Sequence, residues 1–445
     1  MSLLSQLKSV VEELPESIGR PLSRVPFTLR LGPSYASFVC KLKTAEANPS
    51  RSFEQFVAPD LSGLLVDVAG GCPFYEEFYR QHGYRPGAIQ SLANWQSVPI
   101  VNKADLQTVP LEQRCFPGRR GMKINTGGTS GQPLEFCLDK KAFAREWAHM
   151  HFIWKAHGYR PKHLKLTFRG KHFDSVQAIR YNAVHNEYVV NANASMPQVV
   201  QAVLGLPGSS IIRWLHGYPS LIAEFAHAVS AMEPAKVERI RGRLFGVLLG
   251  SEYPAPVYRS VIESVLTTNV VSWYGHSEMA VLAREIAHGV YQSLPTYGFA
   301  EAVPTDDGSG YRLICTSFHN RVHPFIRYDT GDLIEPIAQV GGSLTFRIAE
   351  GRVGDFIEDR NGRRHSLTAI IFGRHHEAFN QLQHLQVREE APGVVTLVVT
   401  PKDISIDVNT VRQGFDLDDL PVEWRIEKVP EPIRTAAGKI RLKLP

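Results

Sequence analysis

The chain has 445 residues, 43% of them hydrophobic and 21% charged, which is the composition of a globular protein of two or three domains. Its formal net charge is +5, from 49 basic and 44 acidic residues mixed along the chain, so the charge does not favour nucleic acid as a partner. Five widely spaced cysteines without a CxxC pair argue against a disulfide framework or a structural zinc site and favour reduced thiols.

The N-terminal region is expected to be helical and to contain no targeting segment. Residues 1–14 alternate like an amphipathic helix, and charges interrupt the apolar core that a signal peptide would need. No uncharged apolar run approaches the roughly 18 residues of a membrane-spanning helix, so we expect a cytoplasmic protein. Up to residue 100 we expect helices with breaks at Pro15, Pro21 and Pro26, and aromatic residues of 74–79 in the core.

A loop rich in glycine and small hydroxyl residues follows, with the sequence NTGGTSGQP at residues 125–133. Glycines let the backbone turn its N–H groups towards an anion, and small hydroxyls add hydrogen-bond donors, which suits a polyphosphate. The Walker pattern is absent because no Lys-Ser or Lys-Thr closes the loop. Alternation in residues 133–138 predicts a strand, so the flanks look like a hairpin. Taken alone, a loop of this kind is more often a plain turn.

Strands then alternate with helices. We expect helices at 139–158, 221–232 and 255–265, and strands at 164–168, 188–190, 211–215, 245–250 and 270–273. This alternation predicts α/β layers with a partly parallel sheet. Polar clusters follow three of the strands, at residues 216–218, 250–252 and 274–278, where ligands of such sheets gather.

From residue 295 the pattern becomes β. We expect strands at 297–303, 311–317, 325–328 and 344–348, and in residues 355–445 a compact tail of strands with one or two helices.

Four motifs stand in a fixed order along the chain: the loop at 125–133, YGHSE at 274–278, RYDTGD at 327–332 and GRVGD at 351–355, with Lys439 near the C-terminus. This order resembles the acyl-adenylating superfamily of acyl- and aryl-CoA ligases, peptide-synthetase adenylation domains and luciferases. Within it, the chain is most similar to the phenylacetate–CoA ligase branch and there to the CapK-like proteins associated with capsular polysaccharide biosynthesis. The resemblance covers the chain from about residue 70 onwards.

The resemblance implies an α/β fold with a large N-terminal adenylate-forming domain of several subdomains, residues 1–353, and a small mobile α+β lid, residues 354–445. It implies ATP- and Mg²⁺-dependent adenylation of a small carboxylic acid, followed by acyl transfer to CoA, a carrier-protein thiol, or an amine or hydroxyl of a polysaccharide precursor. The identity of the acid, the acceptor and a homodimeric state stay open. Trp214, His216, Tyr218 and Trp273, at predicted strand ends, are candidates for the acid pocket.

The resemblance also assigns roles to single residues. Lys439 and Glu278 are the catalytic candidates: Lys439 would bridge carboxylate and α-phosphate, and Glu278 would hold Mg²⁺. Asp332 would bind the ribose hydroxyls, Arg352 the ribose or a phosphate, and Tyr274 would stack on adenine. The other nucleotide-binding candidates are Thr126, Gly127, Gly128, Thr129, Ser130, Gly131, Gly250, Ser251, Glu252, Gly275, His276 and Ser277.

Each role has a plainer alternative. Glu278 could be an exposed glutamate at a helix start, Tyr274 a core tyrosine and Asp332 part of a β-turn. Arg352 could be a surface arginine, and Lys439 part of a basic tail.

Departures from the superfamily pattern leave other functions open. Gln132 stands where the loop often has Lys, Ser277 replaces the common Thr, and Gly354 occupies the position of a usual hinge Asp. Residues 284–288 contain no Cys, so we expect no zinc. The alternatives are a phenylacetate-type aryl-CoA ligase, a degenerate nucleotide-binding interaction protein, or an unrelated phosphate-binding protein that matches by chance.

Overall fold

The computed structural model describes residues 11–12, 14–47, 57–87, 89, 91–125, 134–171, 173, 176–208, 210–306, 308, 310–350, 356–362, 364–367, 370–371, 376–434 and 440–444. Statements about the fold and its contacts refer to these residues.

The described α-helices, in chain order, are α1 Glu16–Leu22, α2 Phe27–Arg30, α3 Gly32–Ala47, α4 Ala58–Ala69, α5 Pro73–Gln81, α6 Leu92–Gln96, α7 Lys103–Gln107, α8 Leu111–Arg114, α9 Ala142–Ala156, α10 Met196–Leu204, α11 Pro219–Ser230, α12 Pro234–Arg241, α13 Pro256–Leu266 and α14 Val408–Gln413. A 3₁₀ helix lies at Glu377–Asn380. Among these helices none is both long and apolar enough to cross a membrane.

The described strands are β1 Met122–Asn125, β2 Glu135–Leu138, β3 Leu164–Lys171, β4 Ile179–Asn182, β5 Glu187–Asn191, β6 Ile212–Gly217, β7 Gly246–Leu249, β8 Val270–Gly275, β9 Leu282–Ala287, β10 Val290–Ser293, β11 Gly298–Pro304, β12 Tyr311–Ser317, β13 Tyr328–Val340, β14 Ser343–Glu350, β15 Phe356–Glu358, β16 Arg364–Ser366, β17 Leu382–Ala391, β18 Val394–Pro401 and β19 Glu423–Lys428.

The chain divides into two compact units. The first unit comprises Met1–Pro26, Trp154–Ser272 and Asp355–Pro445, and the second comprises Phe27–Ile153 and Trp273–Gly354. Strand β8 begins in the first unit and ends in the second.

The sheet of the first unit is mostly parallel, as the alternation of strands and helices predicts. Its order is β8-β7-β6-β3-β5-β4, and only β4 runs antiparallel to its neighbour. The apolar run Gly246–Leu249 is completely buried, which is typical of a parallel strand covered on both faces. Because parallel strands end at the same edge, the residues that follow β6 and β7 share one edge of this sheet.

Gly217 shows how closely the backbone packs at that edge. Its φ is +138°, and a Cβ at this position would come within 2.0 Å of the Phe168 carbonyl oxygen. Only glycine fits here, and Tyr218 N then donates to that same oxygen at 3.0 Å.

Residues 356–444 form a smaller α+β region with a core of its own. Strands β17, β18 and β19 form one sheet, β15 and β16 a hairpin, and Ile357, Val387 and Leu397 are among the core residues. This region confirms the expected small C-terminal α+β part beside a larger α/β part. The domain boundary at residues 353 and 354 remains a prediction.

The second unit is built around an antiparallel sheet. The order is β11-β12-β13-β14-β10-β9, with residues 273–275 of β8 beside β9. Gly341 and Gly342, both with positive φ, close the tight turn between β13 and β14, as such turns require. The aromatic residues Phe74, Tyr75, Phe78 and Tyr79 of α5 are buried in its core, as expected.

Several predicted elements differ from those observed. The run 325–328 was expected to be a strand, but a strand begins only at Tyr328 and continues to Val340. Phe325 and Ile326 are fully buried, yet their segment is held by side chains: Ile326 N donates to the Tyr75 hydroxyl and Arg327 N to Thr316 Oγ1.

Other elements were missed or extended. Helix α1 passes through Pro21 to Leu22 instead of breaking there. The pattern also missed α10, α12, β4, β9 and β10.

Candidate functional site

Two paired strands flank the phosphate-loop candidates in the sequence. Strands β1 and β2 pair antiparallel, with Met122 opposite Leu138 and Asn125 opposite Glu135, as the sequence pattern predicted. Thr126, Gly127, Gly128, Thr129, Ser130, Gly131 and Gln132, between these strands, lie outside the described residues. So do Arg352, Gly354 and Lys439, and their roles remain predictions.

Tyr274 and Asp332 are brought together in the second unit. The Tyr274 hydroxyl donates a hydrogen bond to Asp332 Oδ2. Tyr274 belongs to the core cluster of the unit, and its ring meets that of Phe346 edge-on at 5.6 Å. Burial, together with the Asp332 charge, raises the pKa of Tyr274, which keeps the hydroxyl a donor. The burial agrees with the plainer alternative of a core tyrosine, whereas the bond to Asp332 connects two sequence motifs.

Asp332 is positioned by a bulge in β13. Asp329 lies opposite Ile314 and Leu333 opposite Arg312, so residues 330–332 face Leu313 alone. Thr330 Oγ1 donates to the Leu313 carbonyl oxygen at 2.8 Å and accepts from Asp332 N at 3.2 Å. Bulges re-aim a side chain within a strand and are frequent beside functional sites. Asp332 therefore belongs to a bulged strand and not to a β-turn.

Glu278 is buried, with 5% of its surface exposed, and lies in a turn. Its Oε2 lies 2.9 Å from His276 Nδ1, and the Tyr328 hydroxyl donates to Oε1 at 3.4 Å. His276 Nε2 lies 3.6 Å from Cys315 Sγ, and burial raises the pKa of that thiol. The alternative of an exposed glutamate at a helix start is wrong in both respects.

Ser277 and Gly275 are the remaining residues of the motif. Gly275 ends β8 opposite Leu282 of β9, and Ser277 belongs to the turn that Met279 N closes on the His276 carbonyl oxygen at 3.1 Å. The motif thus forms a strand end followed by a tight turn.

At the edge of the first unit, Glu252 has its carboxylate engaged. Ser220, at the start of α11, donates to Glu252 Oε2 through its hydroxyl at 2.7 Å and its backbone N at 3.3 Å. Ile440 N donates to Oε1 at 3.2 Å. Gly250 N donates to the Gly217 carbonyl oxygen at 3.0 Å, and Ser251 has a φ of +69°. The residues after β7 therefore meet the chain segment that directly follows Lys439.

The sequence analysis did not single out Arg169, a cation at the same edge of the sheet. Arg169, near the end of β3, donates from Nη2 to His216 Nε2 at 2.5 Å, while His216 Nδ1 donates to the Leu248 carbonyl oxygen. Burial and the Arg169 charge hold the pKa of His216 well below its usual range, so the imidazole is a neutral acceptor. In the described part of the chain, Arg169 has no carboxylate at ion-pair distance. The only indication in the sequence is that Arg169 directly follows the predicted strand 164–168.

Of the proposed pocket aromatics in the first unit, Trp214 is part of the packed interior. It is fully buried, and its Nε1 donates to His163 Nδ1 at 3.2 Å. Tyr218 is buried at the sheet edge next to Gly217.

Solved structures with a similar fold include acid ligases. A 2-hydroxyisobutyryl-CoA ligase in the postadenylation state, in complex with R3-HIB-AMP, matches with a TM-score of 0.61 and 17% identity over 89% of this chain and 91% of that one. A GH3.15 acyl acid amido synthetase matches with a TM-score of 0.58 and 11% identity over 86% of this chain and 88% of that one. The chain therefore shares the fold of these acid ligases, which is the fold that the sequence resemblance predicted.

One curated protein resembles part of the chain. Protein CapK of Staphylococcus aureus is 21% identical over 297 residues, which is 64% of this chain and 65% of CapK. The match thus spans less than two thirds of the relative. No protein-family model matches the chain.

Proposed function

We propose that the chain catalyses ATP- and Mg²⁺-dependent adenylation of a carboxylic acid, with release of pyrophosphate, and then transfers the acyl group to an acceptor, in the manner of a CapK-like ligase. One observation carries this proposal. In the second unit, Tyr274 bonds to Asp332, and Tyr328, from the same strand as Asp332, contacts Glu278. Residues of two separate motifs are thus in contact, which supports a single site built from both motifs.

Asp332 is assigned to the ribose. A carboxylate can accept from two hydroxyl groups at once, and the bulge of β13 together with Tyr274 fixes the direction of this one. Tyr274 would at the same time offer ring surface to the base. The nucleoside would thus bind to two side chains, Tyr274 and Asp332, that are hydrogen-bonded to each other.

Glu278 is assigned to the magnesium ion. In nucleotide sites Mg²⁺ takes one or two protein carboxylates, and phosphate oxygens and water complete its shell. Glu278 provides a carboxylate that His276 and Tyr328 hold in place. The described residues contain no group of three or more His, Cys, Asp or Glu suited to a metal, so phosphate would have to supply further ligands. The ion supplies charge neutralisation as pyrophosphate leaves.

Lys439 is assigned to the reacting centre, and the 126–131 loop to the phosphates. A flexible ammonium can stabilise the charge that develops as the carboxylate attacks the α-phosphate. Support comes from Ile440, the next residue in the chain, whose N–H bonds to Glu252 after β7. Gln132 in place of Lys leaves the loop with one cation fewer, so more of the phosphate charge falls to Mg²⁺ and Lys439.

Arg169 is assigned to the acid. A guanidinium whose described partner is a neutral imidazole can pair with a carboxylate or a second anionic group of the substrate. His216 would hold it at the sheet edge. We therefore expect the acid to bind near Arg169 and Tyr218.

We expect the acceptor of the acyl group to be a thiol, an amine or a hydroxyl. The similar structures are named as a CoA ligase and as an acyl acid amido synthetase, so a thiol and an amine are both represented among them. The sequence resemblance to CapK-like proteins adds a sugar-linked amine or hydroxyl. Transfer from an acyl-AMP to CoA, pantetheine and an amino sugar, measured side by side, distinguishes these acceptors.

The adenylation is tested by pyrophosphate exchange into ATP with a panel of carboxylic acids. We expect exchange that requires one acid class and Mg²⁺. ATP binding by calorimetry without exchange for any acid would instead support the degenerate nucleotide-binding protein. Absence of both would exclude the proposed function.

A further inference from the structure

Strand β3 of the first unit carries three polar side chains at alternate positions, Lys165, Thr167 and Arg169. The first two are paired with Glu187 of the neighbouring β5: Thr167 Oγ1 donates to Glu187 Oε2 at 2.6 Å, and Lys165 Nζ lies 3.6 Å from the same oxygen. Burial would raise the pKa of Glu187, but Lys165 and its other cationic neighbours outweigh it and lower that pKa to about 2. The carboxylate is therefore charged and already engaged.

Arg169, the third of these side chains, has no such partner. Its Nη2 donates to His216 Nε2 at 2.5 Å, and in the described parts of the chain no carboxylate lies at ion-pair distance from its guanidinium. Glu252, the carboxylate that follows β7, has one oxygen engaged by Ser220 and the other by Ile440 N. Arg169 thus carries a positive charge that the described carboxylates of this sheet edge do not neutralise.

His216 fixes the direction of that guanidinium. The imidazole is 2% exposed, its Nδ1 donates to the Leu248 carbonyl oxygen at 3.1 Å, and the ring of Trp154 meets it edge-on at 5.1 Å. A guanidinium has five N–H donors, and Nε2 of His216 accepts from only one of them. Because Arg169 itself is exposed, its other donors are accessible to a ligand. Arg169 is therefore oriented but not neutralised, as bidentate binding of an anion requires.

Two anionic groups of a substrate acid could bind this cation, and the chemistry of adenylation distinguishes them. When a carboxylate oxygen attacks the α-phosphate, the carboxylate becomes part of an acyl phosphate and loses its own charge. A guanidinium bound to that carboxylate would stabilise the bound acid more than the transition state, which lowers kcat. A second anionic group keeps its charge throughout, so its binding stabilises the bound acid and the transition state equally.

We infer that the substrate is an acid with a second anionic group, either a second carboxylate or a sulfonate or phosphonate, and that Arg169 binds this second group while His216 orients the guanidinium. The inference rests on the proposed function and specifies the class of acid. Arg169 is then a specificity-determining residue whose loss raises KM for the acid and leaves KM for ATP unchanged.

The test compares acids in matched pairs that differ only in the second anion: butyrate with succinate, hexanoate with adipate, and benzoate with isophthalate, 3-sulfobenzoate and 3-phosphonobenzoate. We expect pyrophosphate exchange to favour one dianionic acid over its monoanionic partner on the order of 100-fold in kcat/KM, because the charge-assisted bonds to Arg169 are made only by the second anion. Exchange that is equal within a pair, or faster with the monoanionic acid, overturns the inference.

Arg169→Gln should reduce that preference to within a few-fold by raising KM for the dianionic acid. The matched control is Arg213→Gln, because Arg213 donates to the Arg243 carbonyl oxygen and lies over the Phe245 ring, and this variant should keep the preference. Arg169→Lys keeps the charge without the planar fork and should give an intermediate KM. A rise in KM for ATP in place of KM for the acid would assign Arg169 to the nucleotide and overturn the inference.

Arg169→Glu guards against a merely structural effect, because its charge is reversed. This variant should prefer 6-aminohexanoate to adipate, which is the opposite of the wild-type order. A variant that still prefers adipate overturns the role of Arg169.

Binding without turnover separates this inference from the proposed function. Calorimetry with the same acids in the absence of ATP should show a dianionic acid binding to wild type and to Arg213→Gln, and more weakly to Arg169→Gln. This binding without any pyrophosphate exchange refutes the proposed function but supports the anion site. Exchange that is fastest with monoanionic acids supports the proposed function and refutes the anion site, and absence of both exchange and Arg169-dependent binding refutes both.

Discussion

The two groups of candidate residues are held in different ways. In the second unit, Tyr274, Glu278 and Asp332 are fixed by hydrogen bonds within or beside the strands of one sheet. In the first unit, Glu252 receives its bond from Ile440, 188 positions later in the chain. The C-terminal region that supplies this bond has a core of its own. The residues assigned to nucleoside and cation are thus preformed within one sheet, whereas Glu252 is held by the C-terminal region, the part of the sequence that also contains Lys439.

The largest effect is expected for Lys439→Ala, which removes the ammonium that the proposal assigns to the reacting centre. Acid-dependent pyrophosphate exchange should fall on the order of 100-fold or more, because a charge at the reacting centre is lost. ATP binding, measured by calorimetry, should change little, since its assigned contacts are on the preformed side. Lys443→Ala is the control, because Lys443 pairs with Glu389 at 2.7 Å instead. Wild-type exchange in Lys439→Ala would remove this residue from the mechanism.

The second prediction concerns the stability of the second unit, which contains Tyr274, Glu278 and Asp332. His149 is buried and bonds to the Arg145 carbonyl oxygen and Thr296 Oγ1, and burial lowers its pKa to about 4. Its unfolded pKa is about 6.5. The stabilisation is therefore complete above that pH and is lost as the pH falls from about 6.5 towards 4.

Between pH 7 and 5, wild type should lose about 2 kcal/mol more unfolding free energy than His149→Gln. Chemical denaturation at both pH values measures this, with the exposed His82 as the site of a control substitution. Equal losses in wild type and His149→Gln would mean that His149 does not titrate as its burial requires.

A smaller effect is expected for Asp332→Ala. The ribose hydroxyls do not change charge in the transition state, so KM for ATP should rise on the order of 10-fold while kcat changes less. Tyr274→Phe keeps the ring and removes the donor to Asp332, and should raise the same KM by a smaller factor. If calorimetry finds unchanged ATP affinity in Asp332→Ala, the bulge in β13 has only a structural role.

The sequence predicted those parts of the fold and site that local patterns determine. Apolar runs such as 247–249 alternate with helical patterns, and this alternation predicted the parallel sheet. The residues on either side of the glycine-rich loop predicted the pairing of β1 with β2. The order of the motifs predicted one site for Tyr274, Glu278 and Asp332. In the structure Tyr274 bonds to Asp332, and Glu278 accepts from Tyr328 of the same strand as Asp332.

The parts it did not predict depend on contacts between distant segments. The apolar run at Phe325 has the composition of a strand, but the Tyr75 hydroxyl, 251 positions away, takes the place of a strand partner for Ile326. The bond from Ile440 N to Glu252 was not predicted either, because the two residues lie 188 positions apart in the sequence. Arg169 is recognisable only beside a neutral His216.

The central claim, that the acid is activated as an acyl-AMP, is tested most directly by isotope transfer. The accepted acid is labelled with ¹⁸O in its carboxylate and turned over with ATP and an acceptor, and the products are analysed by mass spectrometry. Attack of a carboxylate oxygen on the α-phosphate leaves that oxygen on phosphorus when the acceptor displaces the acyl group. The account therefore predicts one ¹⁸O atom in each AMP released, whereas ¹⁸O in inorganic phosphate, or in neither product, would contradict it.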